Sequence, residues 1–188
     1  MMRRRSLLLL PFCLPFAAAR AEGDPWQLLE QPGAIILFRH ATAPGTGDPA
    51  GFMLGDCATQ RNLDDTGRAE ARALGAAFRR RGIAVGKVFS SQWCRARETA
   101  ELAFPGQPVE EPAFNSFFGN RADEPAATAK AREIIAKWQG PGVLVVVTHQ
   151  VNISALTGIA PASGEGIIVR SDEGGSEVRG RLPPSQYR

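Results

Sequence analysis

Residues 33–40 read Gly33-Ala34-Ile35-Ile36-Leu37-Phe38-Arg39-His40. A short apolar run without alternation is the pattern of a strand buried on both faces. Such a strand needs cover above and below, so its reading decides the fold. The pattern recurs at Val143-Leu144-Val145-Val146-Val147, and it too runs into polar residues, Thr148-His149. Between the two runs, Asp64 offers an N-cap to an alanine- and arginine-rich helix that reaches Arg81 and stops at Gly82. Lys87 to Ser90 reads as a short strand, and Trp93 to Phe104 as a helix ended by Pro105-Gly106. Glu124 to Trp138 is helical up to the breakers Gly140-Pro141-Gly142, and a further helix covers about Val151 to Leu156. Gly166 to Arg170 and Glu177 to Leu182 form a hairpin about Gly174-Gly175. The Gly/Pro-rich stretch from Ala41 to Asp56 is a loop, and residues 109–122 show no clear period. Strands alternating with helices predict an α/β fold, a three-layer α/β/α sandwich with a mainly parallel central sheet. We expect one domain over residues 22–188.

The first residues follow other rules. Arg3-Arg4-Arg5 precede an apolar run from Leu7 to Ala19, and Ala19-Arg20-Ala21 closes it. This is the form of a secretory signal peptide over residues 1–21, and Arg4-Arg5 also suits a twin-arginine signal. The run is too short for a spanning helix, which needs about 20 apolar residues, so no transmembrane helix is expected in the mature chain. The expected location is the periplasm or the outside of the cell. The chain holds 22 Lys+Arg and 19 Asp+Glu; four of the arginines (3, 4, 5 and 20) precede the cut, leaving 18 against 19. A near-neutral mature chain gives no footprint for nucleic acid. Cys57 and Cys94 remain, and in an oxidising compartment they form a disulfide or stay as two thiols. The sequence leaves both open.

The chain has two histidines, His40 and His149, and each directly follows a buried strand. Ligands of open α/β sheets bind beyond the carboxyl ends of the strands. Three strand ends therefore bring His40, His149, Arg39 and Arg95 to one rim. Two guanidinium forks match a phosphate dianion, and helix starts near Arg95 and His149 add free N–H groups. A neutral imidazole in such a cage can attack phosphorus and form a covalent phosphohistidine. Taken singly, a histidine after a strand is usually an ordinary hydrogen-bonded residue; the convergence carries the reading. The two histidines lack the spacing of a zinc site, so we expect no metal. No G-x-S-x-G elbow or P-loop occurs.

Four segments in order resemble the histidine phosphatase superfamily, the phosphoglycerate mutase-like proteins. They are Leu37-Phe38-Arg39-His40-Ala41; Arg61-Asn62-Leu63-Asp64-Asp65-Thr66-Gly67 with Glu70-Ala71; Ser90-Ser91-Gln92-Trp93-Cys94-Arg95-Ala96 with Thr99-Ala100; and Val147-Thr148-His149. The resemblance implies a phosphoglycerate mutase-like fold in a small exported bacterial-type member. It implies that His40 is the phosphorylated nucleophile and that Arg39, Arg95 and His149 form the phosphate pocket, His149 being cationic in the transition state. No metal or cofactor is implied. The expected activity is hydrolysis of phosphate monoesters, on a small phosphorylated substrate or a phosphoprotein.

The match fails at the general acid. Where some members carry a carboxylate, this chain reads Glu110-Glu111-Pro112-Ala113-Phe114-Asn115-Ser116-Phe117-Phe118, and Gln150 follows the second histidine. Glu111, Asp123 and Glu124 are the candidates for the acid, each otherwise a solvated surface charge. Asn152 is a candidate substrate contact or a local cap. Phe117 and Phe118 are core residues or an apolar pocket wall. The rival readings are a non-catalytic module that binds phosphorylated ligands and a phosphoglycerate mutase. The latter is disfavoured because about fifty residues separate Ser91 from Val143, leaving no room for a cap that excludes water.

Overall fold

The computed structural model describes residues 24–172 and 175–188. The signal-peptide reading of residues 1–21 lies outside the described residues, as does Gly174 of the expected turn. Strands β1 (Ile35–Arg39), β2 (Val85–Ser90), β3 (Pro108–Glu110), β4 (Val143–Thr148), β5 (Gly166–Asp172) and β6 (Gly175–Leu182) form one sheet in the order β3-β2-β4-β1-β5-β6. The four from β3 to β1 are parallel; β5 and β6 add an antiparallel hairpin at the other edge.

The apolar runs are buried on both faces. Ile36 and Phe38 of β1, with Val143, Val145 and Val147 of β4, pack on one side against Leu74 and Phe78 of α2 (Asp65–Arg80) and Ala96 and Ala100 of α3 (Cys94–Ala103). Ile35 and Leu37, with Leu144 and Val146, face the opposite way. They meet Ala131 and Ile135 of α4 (Glu124–Ala136) and Ile153 and Leu156 of α5 (Gln150–Thr157). This is the three-layer sandwich expected. A five-residue helix, α1 (Pro25–Leu29), also joins the first layer, capped by Asp24 and burying Trp26 and Leu29. It is too short to show a helical period. β3 was equally hidden: it has three residues, begins with proline and lies on the sheet edge, where a missing N–H is tolerated.

Strand order creates the site. β1 and β4 are neighbours, yet the chain leaves β1 toward α2 on one face and β4 toward α5 on the other. Their carboxyl ends therefore open a crevice, the usual ligand position in such sheets. Pairing sets the rim level: Arg39 lies opposite Thr148, and Ser90 opposite Val147.

Candidate active site

The segment after β1 is fixed from three directions. The His40 N–H donates to Thr148 O at 3.0 Å. The Ala41 N–H donates to Thr99 Oγ1 of α3 at 3.0 Å. Glu70 of α2 accepts from both the backbone N–H and the hydroxyl of Thr42, each at 3.0 Å. Helix α2 can come this close because residue 67 is glycine: a Cβ there would lie 2.1 Å from Thr42 O. Asp64, with Oδ1 accepting from the Gly67 N–H at 2.7 Å, caps the same helix start. Gly67, Glu70 and Thr99 thus hold the loop that carries the nucleophile candidate.

Arg95 sits between the two histidines, buried like both of them. Its Nε donates to His40 Nε2 at 3.2 Å, and its Nη2 lies 3.5 Å from His149 Nδ1. These contacts assign the tautomers. His40 Nδ1 faces Ala41 O at 2.8 Å and must carry the proton, leaving a lone pair on Nε2. His149 Nε2 lies 2.8 Å from Ser91 Oγ. That hydroxyl accepts from the Trp93 N–H and reaches Asn115 Oδ1 at 3.3 Å, so His149 Nε2 donates to it and Nδ1 keeps its lone pair. Both imidazoles are neutral. Burial, reinforced by Arg95, Arg61 and Arg39, lowers His40 to about 3. Burial and then His40 and the same arginines hold His149 well below its ordinary value.

A cavity of about 180 Å³ opens beside them, lined by Arg39, His40, Arg61, Arg95 and His149. Gly45, Thr46, Gly47, Ser116, Phe118 and the start of α5 (Gln150, Val151) complete it. The early N–H groups of α5 are among those a helix leaves without intrahelical partners, which suits an anion. Three arginines crowd the site, and burial with the nearby Arg95 charge lowers both Arg39 and Arg61.

The structure brings His40, Arg39, Arg95 and His149 together, and separates them from the other candidates. Glu111 accepts from the Ala113 N–H and caps a 3-10 turn. Asp123 is exposed, and Glu124 pairs with Arg121 on the surface. None of the three lines the cavity; each sits in a helix-start or surface role that its sequence context equally allowed. Asn152 is also not a wall residue. Its Nδ2 donates to Asn115 O at 2.8 Å, so it acts on the segment that holds Ser91 rather than on a ligand. Phe117 is core, whereas Phe118 is exposed and lines the cavity. Cys57 and Cys94 are joined as a disulfide.

Three contributors were not singled out from sequence: Arg61, Ser91 and Asp48. Arg61 and Ser91 stood inside quoted motifs, and their motif positions were the available signal. Asp48 stands in the Gly/Pro-rich loop and had none. Among the described residues, no group of three or more His, Cys, Asp or Glu could hold a metal.

Comparison with known proteins agrees with this geometry. The sequence model of the histidine phosphatase superfamily (branch 1) matches residues 35–116, a span that holds Arg39, His40, Arg61 and Arg95. Among solved structures, the fold is similar to that of the protein histidine phosphatase SixA complexed with tungstate. The identity is 17%, the TM-score 0.58, and the match covers 82% of this chain and 99% of that one. It is also similar to phosphoserine phosphatase from Entamoeba histolytica (13% identity, TM-score 0.56, 82% and 98% covered). A third is the putative phosphohistidine phosphatase SixA from Agrobacterium tumefaciens (20% identity, TM-score 0.51, 82% and 99% covered). At these identities the likeness is one of fold. The curated proteins contain no match. The sequence model thus marks a likeness to that superfamily over residues 35–116, and the solved structures show a likeness of fold over most of the chain.

Proposed function

We propose that this protein is a metal-independent phosphatase that hydrolyses phosphate monoesters through a phosphohistidine on His40. The supporting observation is the His40 tautomer: Nδ1–H is tied to Ala41 O, which leaves Nε2 unprotonated, accepting from Arg95 Nε beside the arginine-lined cavity. Nε2 attacks phosphorus, and the P–O bond to the leaving group breaks with its electron pair leaving on oxygen. Arg39, Arg61 and Arg95 take the equatorial charge. His149 starts neutral, and a dianion beside it favours its protonated form, which then donates from Nδ1. Water next attacks phosphorus, the N–P bond breaks, its pair returns to Nε2, and phosphate leaves.

Among the described residues no carboxylate lines the cavity, and on this reading the leaving group departs without a dedicated acid. Substrates whose leaving group is stable unprotonated are favoured. Phosphoramidates, such as phosphohistidine in a protein, form a second reading, supported by this acid-free cavity and by fold likeness to a protein histidine phosphatase. The basic, apolar head of the sequence and the Cys57–Cys94 disulfide support action outside the cytoplasm. The test is p-nitrophenyl phosphate hydrolysis by protein from Glu22 onward, in EDTA, beside His40→Ala. Turnover abolished by the substitution is expected, with Arg39→Ala, Arg95→Ala and His149→Ala each losing about 100-fold or more. Undiminished turnover in His40→Ala refutes the mechanism. Silence of both proteins favours a module that binds phosphorylated ligands without cleaving them.

A further inference from the structure

We propose that Asp48 is a positioning residue that aims Arg95 at the phosphoryl group, by binding the guanidinium edge remote from the nucleophile. The proposal rests on the phosphatase reading above. A guanidinium has two bidentate edges, one formed by Nη1 and Nη2 and the other by Nε and Nη2. Asp48 takes the first: Nη1 donates to Oδ1 at 2.7 Å and Nη2 to Oδ2 at 3.2 Å. The second edge contacts His40 Nε2 and His149 Nδ1 directly, so these are the contacts an entering phosphoryl group takes over while the Asp48 pair stays in place. Rotating Arg95 in its plane would break the Asp48 pair, so the pair selects the edge presented.

Asp48 is itself fixed. Its Oδ2 accepts from Trp93 Nε1 at 3.0 Å and its Oδ1 from the Arg61 N–H at 3.3 Å. Trp93 is held in turn by stacking on Phe52, with ring centroids 5.1 Å apart. Gly47, Arg61 and Arg95 line the cavity, but Asp48 does not; its carboxylate stands behind the arginine and meets no ligand there. It is also unsuited to be the missing acid. Burial pushes its carboxyl up, but the bond and charge of Arg95, with Trp93 and Arg61 N–H, outweigh this and hold it below the ordinary range. Finally, one carboxylate against the charges of Arg39, Arg61 and Arg95 leaves two positive charges, which matches a phosphate-ester dianion.

Charge and aim can be separated by Asp48→Asn. The variant removes a negative charge, so inorganic phosphate, measured as a competitive inhibitor, should bind as tightly as to wild type or more tightly. It frees the Arg95 edge, so kcat on p-nitrophenyl phosphate should fall about 10- to 100-fold. Trp93→Phe keeps the stacked ring and loses one donor to Asp48; it should show the same split with a smaller loss. ¹⁵N NMR of the imidazoles supplies a readout that needs no turnover, since releasing Arg95 Nε should shift the His40 Nε2 signal. A kcat within about twofold of wild type overturns the proposal. So does a kcat loss matched by equally weakened phosphate binding and a lowered Tm, which is the signature of a loop merely coming loose. Should the wild type bind phosphate but turn nothing over, the phosphatase reading fails. The NMR signal then decides alone, and an unmoved His40 Nε2 overturns the role of Asp48.

Discussion

Replacing both disulfide cysteines by alanine should cost much stability and little catalysis, and the structure says why the two separate. Cys57 and Cys94 lie 37 residues apart. Closing a loop of that length in the unfolded chain is worth roughly 4 kcal/mol in the chain-entropy model. For a chain of this size each kcal/mol is about 2–4 °C, so Tm should drop by about 8–15 °C. In the folded state, however, the bridge is not alone in holding the active-site loop to α3. The Cys94 N–H donates to Gln60 Oε1 at 2.9 Å, Asp48 grips Arg95 twice, and Trp93 Nε1 reaches Asp48. Those bonds survive Cys57→Ala/Cys94→Ala, so kcat should stay within about threefold of wild type at temperatures where the variant is folded. Urea titration is the assay. The midpoint should fall while the slope m rises, because an uncrosslinked chain exposes more surface when it unfolds. A loss under about 1 kcal/mol would mean that the unfolded chain keeps the two segments together without the bond. A tenfold drop in kcat in folded protein would refute the claim that side-chain bonds suffice to hold the loop.

Acidification should destabilise the protein earlier than carboxylate titration alone predicts. Both histidines are neutral when folded, with pKa values below the ordinary 6.5. Their contribution is therefore complete above about pH 6.5 and is lost as pH falls toward the folded values. Between pH 6.5 and 5 this amounts to roughly 2 kcal/mol for His40, and His149 adds a loss of the same sign. Urea unfolding at the two pH values measures the loss, and a His40→Asn/His149→Gln variant with an unchanged pH slope would refute the assignment. Gly67→Ala should lower stability by about 1–3 kcal/mol through its clash with Thr42 O. Gly119→Ala, with nothing within 4 Å of its Cβ, should change it by no more than about 0.5 kcal/mol. Equal effects of the two substitutions in thermal unfolding would show that α2 does not depend on the close approach.

The central strands were legible because burial on both faces writes itself as unbroken apolar sequence. Ile35 and Leu37 serve one layer, Ile36 and Phe38 the other, and no polar position interrupts them. The long helices were legible for a related reason: Asp64 and Gly82, or Pro105 and Gly140, mark their ends locally. α1 and β3 were not, since five and three residues hold too little pattern to register a period. At the site, His40, Arg39, Arg95 and His149 could be read because each occupies a fixed offset from a strand end or helix start, and strand order then brings those ends together. Asp48 follows no such offset. It lies in a loop whose path is set by contacts made far along the chain, with Trp93 and Arg95 about 45 positions away. Its role depends on which edge of a guanidinium it meets, a property of orientation that a one-dimensional pattern does not encode. The same logic explains where the acid candidates sit. Glu111 and Glu124 were chosen for sequence position, but a carboxylate near a helix start is commonly recruited by local N–H groups or neighbouring cations. Reading such a residue as catalytic requires knowing that its local partners are absent, and here they are present.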